Sequence, residues 1–389
     1  MADQFTVTTS VSGFSRILGS IGGALVGILL VVVAFPLLWW NEGRAVRTAR
    51  GLSEGASAVV EVTADTVDVA HDGKLVHLTG QATPHGTLTD HEFNVSTEAI
   101  KLVRTVEMYQ WHEDNKSRTK QKFGGGQDTT TTYTYKTQWS SSPIDSSAFQ
   151  QPAGHENPAA PPWKAETLTA STVTLGAFTL SPGLVALIDQ RQRWQLDETN
   201  QRALPAGMGV TLSDGGYYRG TDPHSPRVGD VRITYEVVQP LAVSVVAVQR
   251  GSSFEAFQTK SGTSVLLLQA GTLTANDMFK TARTSNAWLT WILRGVGFLV
   301  MLIGLALVFR PLAVVGSVIP LAGRLLSAGI GIVAFLVAFA LSLVTIAVAW
   351  FAYRPLLAIG LLAAAAGTLV LLLARHRSAM AARGRPAAV

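Results

Sequence analysis

Four long hydrophobic runs lie near the two ends of the chain and enclose a long mixed stretch. The first run, residues 17–40, carries no charge and is long enough to cross roughly 30 Å of hydrocarbon as a helix. Three further runs occupy residues 288–309, 326–352 and 356–374. The pattern predicts an α+β membrane protein. It has four transmembrane helices, one N-terminal and three C-terminal, and a large β-rich extramembrane domain at 41–287.

A cleaved signal peptide is the alternative interpretation of the first run. The apolar core of a signal peptide is only about 7–15 residues long and is followed by a small-residue cleavage site. Here the run is longer and ends in Trp39 and Trp40, which are typical of a membrane interface. We therefore expect a retained anchor.

The distribution of arginines predicts the orientation. Residues 1–16 would form a short cytoplasmic tail and residues 375–389 a basic cytoplasmic tail, which places the large domain in the lumen or periplasm. Positive charge near the spans favours the cytoplasmic side. That side would receive Arg16, Arg310, Arg324 and the four arginines of the C-terminal tail. The opposite side would receive Arg354 and the cluster Arg44, Arg47 and Arg50, which counts against this orientation.

The large domain is rich in Val and Thr and alternates like a set of strands. Its last part has the spacing of a helix capping box, Thr274 followed by Asp277, which predicts a short helix at 278–284 leading into the second span. Strands are predicted at 56–69, 75–79, 101–113, 131–140, 167–179, 230–238, 242–249 and 264–269.

Small residues mark one face of the first span. Gly19, Gly23 and Gly27 recur every four residues, and small residues at this spacing let another helix approach closely in lipid. Chance is the alternative in a chain with 36 glycines. The spans contain no Asp, Glu, Lys or His, and transport proteins usually need such groups near the midplane. We therefore predict a packing face and no transport role.

The first span ends in a polar stretch with two interpretations. In one, Gly43 permits a tight exit from the helix and Glu42 pairs with Arg44, Arg47 or a returning-helix arginine such as Arg354. In the other, Arg44, Arg47 and Arg50 contact lipid phosphates. The predicted membrane-interface and lipid-contact residues are Glu42, Arg44, Arg47, Arg50, Tyr353 and Arg354.

Composition adds to this picture. The 389 residues are 48% hydrophobic and 15% charged, an average over two unlike parts of the chain. The net charge of +5 is concentrated at membrane edges, so no nucleic acid is expected as a partner. With no cysteine, disulfides, thiolate zinc sites and a cysteine nucleophile are excluded.

Histidines are the best candidates for metal or catalytic chemistry. Seven of the eight lie in the large domain, with His112 near Asp114 and His155 beside Glu156 in the densest clusters. Neither cluster has the spacing of a zinc-protease helix. The chain also lacks a nucleophile elbow, a P-loop and a dinucleotide fingerprint. We predict no enzyme, no cofactor and no metal. A membrane hydrolase using these residues and Glu113 is the less favoured alternative.

Several short motifs keep their order through nearly the whole chain. They are Trp40-Asn41-Glu42-Gly43-Arg44-Ala45, Glu107-Met108-Tyr109-Gln110-Trp111, Gly154-His155-Glu156-Asn157-Pro158, Val228-Gly229-Asp230-Val231-Arg232, Thr259-Lys260-Ser261-Gly262 and Tyr353-Arg354-Pro355. Together these motifs resemble the transmembrane protein 43 (LUMA) family.

The resemblance implies one N-terminal span, three C-terminal spans and a large lumenal domain. In animals it implies the endoplasmic reticulum and inner nuclear membrane, with lamins and emerin as partners. Those partners need a nucleus. The Ala-, Arg- and Gly-rich composition is typical of a bacterial member, for which we expect the inner membrane.

The function that these features predict is that of a membrane scaffold or organiser. It would act through lipids, other membrane proteins and a homo-oligomer. An extracytoplasmic sensor of a ligand or lipid is the alternative.

Overall fold

The chain forms two compact units in the computed structural model, which describes residues 3–122, 126–316, 320–355 and 359–360. The β unit comprises residues 1–10, 51–120 and 128–282. The helical unit comprises residues 11–50, 121–127 and 283–389.

Apolar runs form the long helices, and two six-residue segments form short ones. The helices are α1 (Gly13–Ala58), α2 (Pro182–Leu187), α3 (Glu198–Ala203), α4 (Ala275–Gly316) and α5 (Pro320–Tyr353). By length and composition α1, α4 and the Ala328–Tyr353 part of α5 can each cross a membrane. The described residues therefore contain one N-terminal and two C-terminal candidate spans. The predicted fourth span at 356–374, apart from two residues, and the predicted basic tail at 375–389 lie outside the described residues.

Helix α1 does not end where its hydrophobic run ends. Gly43 lies inside the helix, so the predicted tight exit at this glycine is wrong, as is the start of the strand predicted at 56–69. Residues 41–58 are rich in good helix formers, and Leu52 is buried in a cluster with Phe279. The tertiary contacts therefore continue the helix into the polar sequence.

The capping residues predicted before the second span begin helix α4. The Asp277 amide donates to Thr274 Oγ1 at 3.2 Å, and the Thr274 hydroxyl donates to the Asp277 carboxylate at 2.7 Å. The predicted short helix and the second span are one continuous helix.

Most predicted strands are present, but only Val60–Glu61 of the strand predicted at 56–69 is a strand, and the strand predicted at 167–179 is divided into three short ones. The strands of the described residues are β1 (Asp3–Val11), β2 (Val60–Glu61), β3 (Leu75–His85), β4 (Leu88–Asp90), β5 (Val95–Thr97), β6 (Lys101–Gln121), β7 (Gln127–Ser140), β8 (Glu166–Thr169), β9 (Thr172–Leu175), β10 (Phe178–Thr179), β11 (Gln192–Trp194), β12 (Thr211–Ser213), β13 (Gly216–Arg219), β14 (Val231–Val238), β15 (Leu241–Arg250), β16 (Ser253–Glu255), β17 (Phe257–Gln258), β18 (Ser264–Val265) and β19 (Leu267–Ala270).

Two larger sheets organise these strands. The first has the order β1-β7-β6-β14-β13-β12, with β11 on β14 and β8 on β6. The second has the order β10-β9-β3-β15-β16, with β19 on β15 and β2 parallel to β3. Strand β1 lies in the segment predicted as a short cytoplasmic tail. That segment is therefore partly a strand of the first sheet, and its side of the membrane stays a prediction.

A buried ion pair joins strand β4, which pairs with β5, to the first sheet. Arg104 donates to both Asp90 oxygens at 2.7 and 2.8 Å, and the Tyr235 hydroxyl donates to Asp90 at 2.7 Å. Asp90 and Arg104 are only 2% and 4% exposed. Burial and the hydrogen bond to Asp90 raise the pKa of Tyr235 well above its usual value. The network joins β4, β6 and β14 through one charged pair and one hydroxyl, all of which are shielded from water.

Candidate functional site, a polar centre where three helices meet

The polar stretch of α1 packs against α4 and α5 within the helical unit. At its centre is Glu42, whose side chain is fully buried. Arg294 Nε donates to Glu42 Oε1 at 2.7 Å, and Arg294 Nη2 donates to Oε2 at 2.9 Å. Trp350 Nε1 also donates to Oε2 at 2.9 Å. A two-point arginine–carboxylate pair thus links α1 to α4, and an indole N–H links α1 to α5.

Aromatic rings surround the charge of Arg294. Its guanidinium carbon lies 4.7 Å from the ring centre of Trp291 and 5.8 Å from that of Trp350. Only 16% of the arginine side chain is exposed. The cation is therefore stabilised by one carboxylate and two π faces while little water reaches it.

A second layer of hydrogen bonds lies beside this ion pair. Arg44 Nη1 donates to Asn286 Oδ1 at 2.8 Å, and Arg44 Nη2 donates to Thr290 Oγ1 at 3.0 Å. Asn41 is fully buried, and its Nδ2 donates to the Thr290 carbonyl at 3.1 Å. Asn286 Nδ2 donates to the Ala45 carbonyl at 3.0 Å. These side chains hold α1 against α4 in one register.

The end of α5 closes over Gly43. A Cβ at this position would lie 2.7 Å from the Tyr353 ring, so a larger residue would displace the tyrosine. Tyr353 also packs on Trp39, with ring centres 5.7 Å apart, and its carbonyl accepts Arg50 Nη2 at 2.9 Å. Glycine is needed here for close approach rather than for a turn.

We name these groups the junction, defined as Asn41, Glu42, Gly43 and Arg44 of α1, Asn286, Thr290 and Arg294 of α4, and Trp350 and Tyr353 of α5. Its carboxylate is occupied by two donors, and both arginines bond within the protein. The chemistry of such a site is that of a clamp between helices.

The predicted interface residues divide between the junction and its rim. Glu42, Arg44 and Tyr353 belong to the junction, and Arg50 bonds to it. Arg47 is half-buried on α1, and Arg354 is half-buried just after the end of α5.

Sequence reasoning missed five junction residues. The partner of Glu42 is Arg294, a returning-helix arginine other than the Arg354 named as the example. Arg294 is the one charged residue in the predicted second span, and a charge in a span calls for a partner. That signal could have found it. The missed residues are Asn41, Asn286, Thr290, Arg294 and Trp350.

The glycine face of α1 meets the backbone of α4 at one of its three members. A Cβ on Gly27 would lie 2.5 Å from the Gly304 carbonyl oxygen, and a Cβ on Gly304 would lie 2.8 Å from the Gly27 oxygen. A Cβ on Gly23 would lie 3.9 Å from the Leu307 side chain of α4, and a Cβ on Gly19 would have no described neighbour within 4 Å. The two backbones therefore touch at Gly27, as close-packed membrane helices do.

We expect Gly27→Ala to weaken the α1–α4 contact and Gly19→Ala to leave it intact. The added methyl at Gly27 meets backbone atoms, which gives an overpacking cost of about 1–3 kcal/mol. Both substitutions raise helix propensity equally, so Gly19→Ala is a matched control. Thermal unfolding of the full chain in detergent measures the difference, and equal melting temperatures would contradict this packing.

The histidine clusters do not assemble a metal site among the described residues, where no group of three or more His, Asp or Glu converges. His112 Nε2 lies 3.1 Å from Asp114, but Lys136 Nζ also contacts that carboxylate at 2.5 Å and lowers its pKa. His155 lies 4.0 Å from the Tyr135 ring centre, and both Glu156 oxygens accept the Gly154 amide at 3.1 Å. In each cluster the polar side chains bond to neighbouring groups of the protein.

Other motif residues brace the β unit. Asn157 accepts the Trp111 amide at 2.7 Å and donates to the Trp111 carbonyl at 3.0 Å, so its side chain takes the place of a neighbouring strand. Asp230 accepts the Tyr218 hydroxyl at 2.6 Å and the Arg227 amide at 2.8 Å. These motifs have structural roles.

Comparison with known proteins identifies the family. The family model described as Transmembrane protein 43 matches residues 108–355. The human protein "Transmembrane protein 43" is 35% identical over 382 residues, which cover 95% of this chain and 94% of that protein. The chain belongs to the Transmembrane protein 43 family.

Other members of the Transmembrane protein 43 family agree with this assignment. The mouse protein of the same name is 35% identical over 86% of this chain and 85% of its own length. "Transmembrane protein 43 homolog" of Drosophila melanogaster is 31% identical over 89% of this chain and 93% of its own length. No solved structure matches the chain. The chain is therefore an integral membrane protein of this family with apolar spanning helices and a large β domain.

Proposed function

We propose that this family member is a multi-pass membrane scaffold that organises the membrane through contacts with other proteins and with lipids. The observation that carries the proposal is the junction. Its charged and neutral polar groups bond to one another across three helices and hold them together. A clamp of this kind favours a rigid platform over a site that moves ions or protons.

The β unit fits the same function. Its polar clusters serve internal bracing, as at Asp90 with Arg104 and at Asn157 with Trp111. In our proposal this domain lies in the periplasm or lumen and binds protein partners, and the chain works as an oligomer without catalysing a reaction. For a bacterial member the compartment is the inner membrane.

Crosslinking in native membranes tests the scaffold. The full chain carries an affinity tag, a short amine-reactive crosslinker is added before solubilisation, and captured complexes are sized and sequenced by mass spectrometry. We expect species holding at least two copies of the chain or a reproducible second membrane protein. A tagged chain that remains a monomer without reproducible partners would overturn the scaffold. A sample crosslinked after solubilisation and dilution is the control for chance encounters.

An extracytoplasmic sensor of a ligand or lipid is the second candidate function. The unbroken course of two helices favours it. Helices α1 and α4 each run without a break from residues of the helical unit into residues of the β unit. A sensor predicts that hydrogen exchange in the β unit changes when nanodiscs of phosphatidylcholine are replaced by nanodiscs containing phosphatidylglycerol. If hydrogen exchange in the β unit is the same in both kinds of nanodisc, the chain does not relay the lipid composition to this unit.

A further inference from the structure

A groove between α1 and α5 of the helical unit lies at the level of two tryptophans. Its volume is about 610 Å³, within the range of ligand sites. The Thr345 hydroxyl donates to the Leu341 carbonyl of its own helix at 2.7 Å, so the walls of the groove are apolar. The groove is lined by Phe35, Pro36, Trp39 and Trp40 of α1 and by Val344, Thr345 and Val348 of α5.

The surroundings of the groove define what can enter it. Trp40, Val344 and Val348 are 51%, 58% and 50% exposed on helices that can span a membrane. Exposed apolar side chains on such helices face acyl chains rather than water. Tryptophans prefer the interface, where acyl chains meet headgroups. One end of the groove therefore lies near the headgroup level.

Positive charge lies just beyond that end on the same helix. Arg50 is eleven residues after Trp39 and Arg47 is seven after Trp40. At 3.6 residues per turn both pairs share a face, with axial offsets of roughly 16 and 10 Å. Long arginine side chains reach back toward the interface over part of such distances.

Tyr353 connects the groove to this charge. Its ring packs on Trp39, and its carbonyl accepts one N–H of the exposed Arg50 at 2.9 Å. A guanidinium has five N–H donors, so Arg50 keeps others for an oxygen ligand while it is bonded to the Tyr353 carbonyl. Phosphate oxygens suit this planar fork.

We propose that one anionic phospholipid occupies this site, with an acyl chain in the groove and its phosphate at Arg47 and Arg50. This inference rests on the lipid contacts of the proposed function and gives them a place and a headgroup charge. Anionic rather than zwitterionic lipid follows from two arginines at one headgroup.

Native mass spectrometry of the full chain tests the site. The chain is reconstituted in nanodiscs that contain equal amounts of phosphatidylglycerol and phosphatidylcholine, released in the gas phase, and its retained lipids are counted by mass. We expect one retained phosphatidylglycerol. Arg50→Gln should lower the preference for the anionic lipid about fivefold, and adding Arg47→Gln should lower it by about the same factor again. Arg310→Gln, an exposed arginine elsewhere on α4, is the matched control and should change nothing.

The apolar half of the site has its own pair of variants. Val348→Trp should fill the groove and abolish retention, whereas Val333→Trp changes an equally exposed valine of α5 outside the groove lining and should retain the lipid. No preference for the anionic lipid in the unmodified chain would overturn the proposal, and so would equal retention in Val348→Trp and Val333→Trp. The crosslinking result is independent, since a monomer that retains the lipid rejects the scaffold and keeps the site.

Discussion

Replacement of Glu42 by alanine is expected to destabilise the helical unit by about 3–5 kcal/mol, because it leaves the Arg294 charge buried without its carboxylate. Arg294 would keep two tryptophan faces but lose both of its short bonds to Glu42, at 2.7 and 2.9 Å. Trp350 would also lose the acceptor for its indole N–H. The change therefore affects α1, α4 and α5 together.

Thermal or denaturant unfolding of the full chain in detergent measures this loss. Glu198→Ala is the matched control, since that glutamate forms an exposed pair with Arg202 and its removal should change stability by about 1 kcal/mol or less. A double variant, Glu42→Leu with Arg294→Met, should recover much of the stability lost by Glu42→Ala because it removes both charges. A loss below about 1 kcal/mol for Glu42→Ala would contradict the central place of this ion pair.

Arg104→Ala is expected to have an effect of similar size in the β unit. It removes the charge partner of Asp90, which is 2% exposed and would keep only the Tyr235 hydroxyl and the Glu92 amide as hydrogen-bond donors. Removing one member of a buried pair costs about 3–5 kcal/mol. Hydrogen exchange at the amides of β6 and β14 should rise, because both strands lose the side-chain network that joins them.

The sheet itself offers a matched control for Arg104→Ala. Arg232 pairs with Glu107 across the same two strands at 2.7 Å, but its side chain is 43% exposed. Arg232→Ala should therefore cost about 1 kcal/mol, including its contact with Trp139. Equal protection of β6 in the two variants would show that burial of the Asp90–Arg104 pair is not what stabilises this sheet.

The architecture could be predicted from the sequence wherever one physical effect decides the local structure of a segment. Long apolar runs with at most one charge indicated the spans at 17–40, 288–309 and 326–352, because lipid excludes unpaired backbone and charge. Alternation indicated the central strands, including the segments that became β6, β14 and β15. The capping residues Thr274 and Asp277 marked a helix start because they satisfy an amide that the helix leaves free.

The remainder depends on contacts between distant parts of the chain. Polarity at Asn41 suggested a helix end, but partners on α4 and α5 keep α1 helical through Gly43 and as far as Ala58. No local pattern pairs Glu42 with Arg294, since several arginines fit equally well by charge. Short strands such as β4, β12 and β16 have two or three residues of useful pattern, which is too little to separate them from loops.

The pairing of Glu42 with Arg294 also sets an order of events during synthesis. The two residues are 252 positions apart, and a ribosome adding about 5–20 residues per second needs roughly 13 to 50 seconds to cover that distance. Throughout this interval the anchor is complete while its acidic group has no guanidinium from α4 to meet. The newly made carboxylate must therefore stay hydrated or be shielded by the insertion machinery, and the three helices can pair only after the whole β unit has been translated.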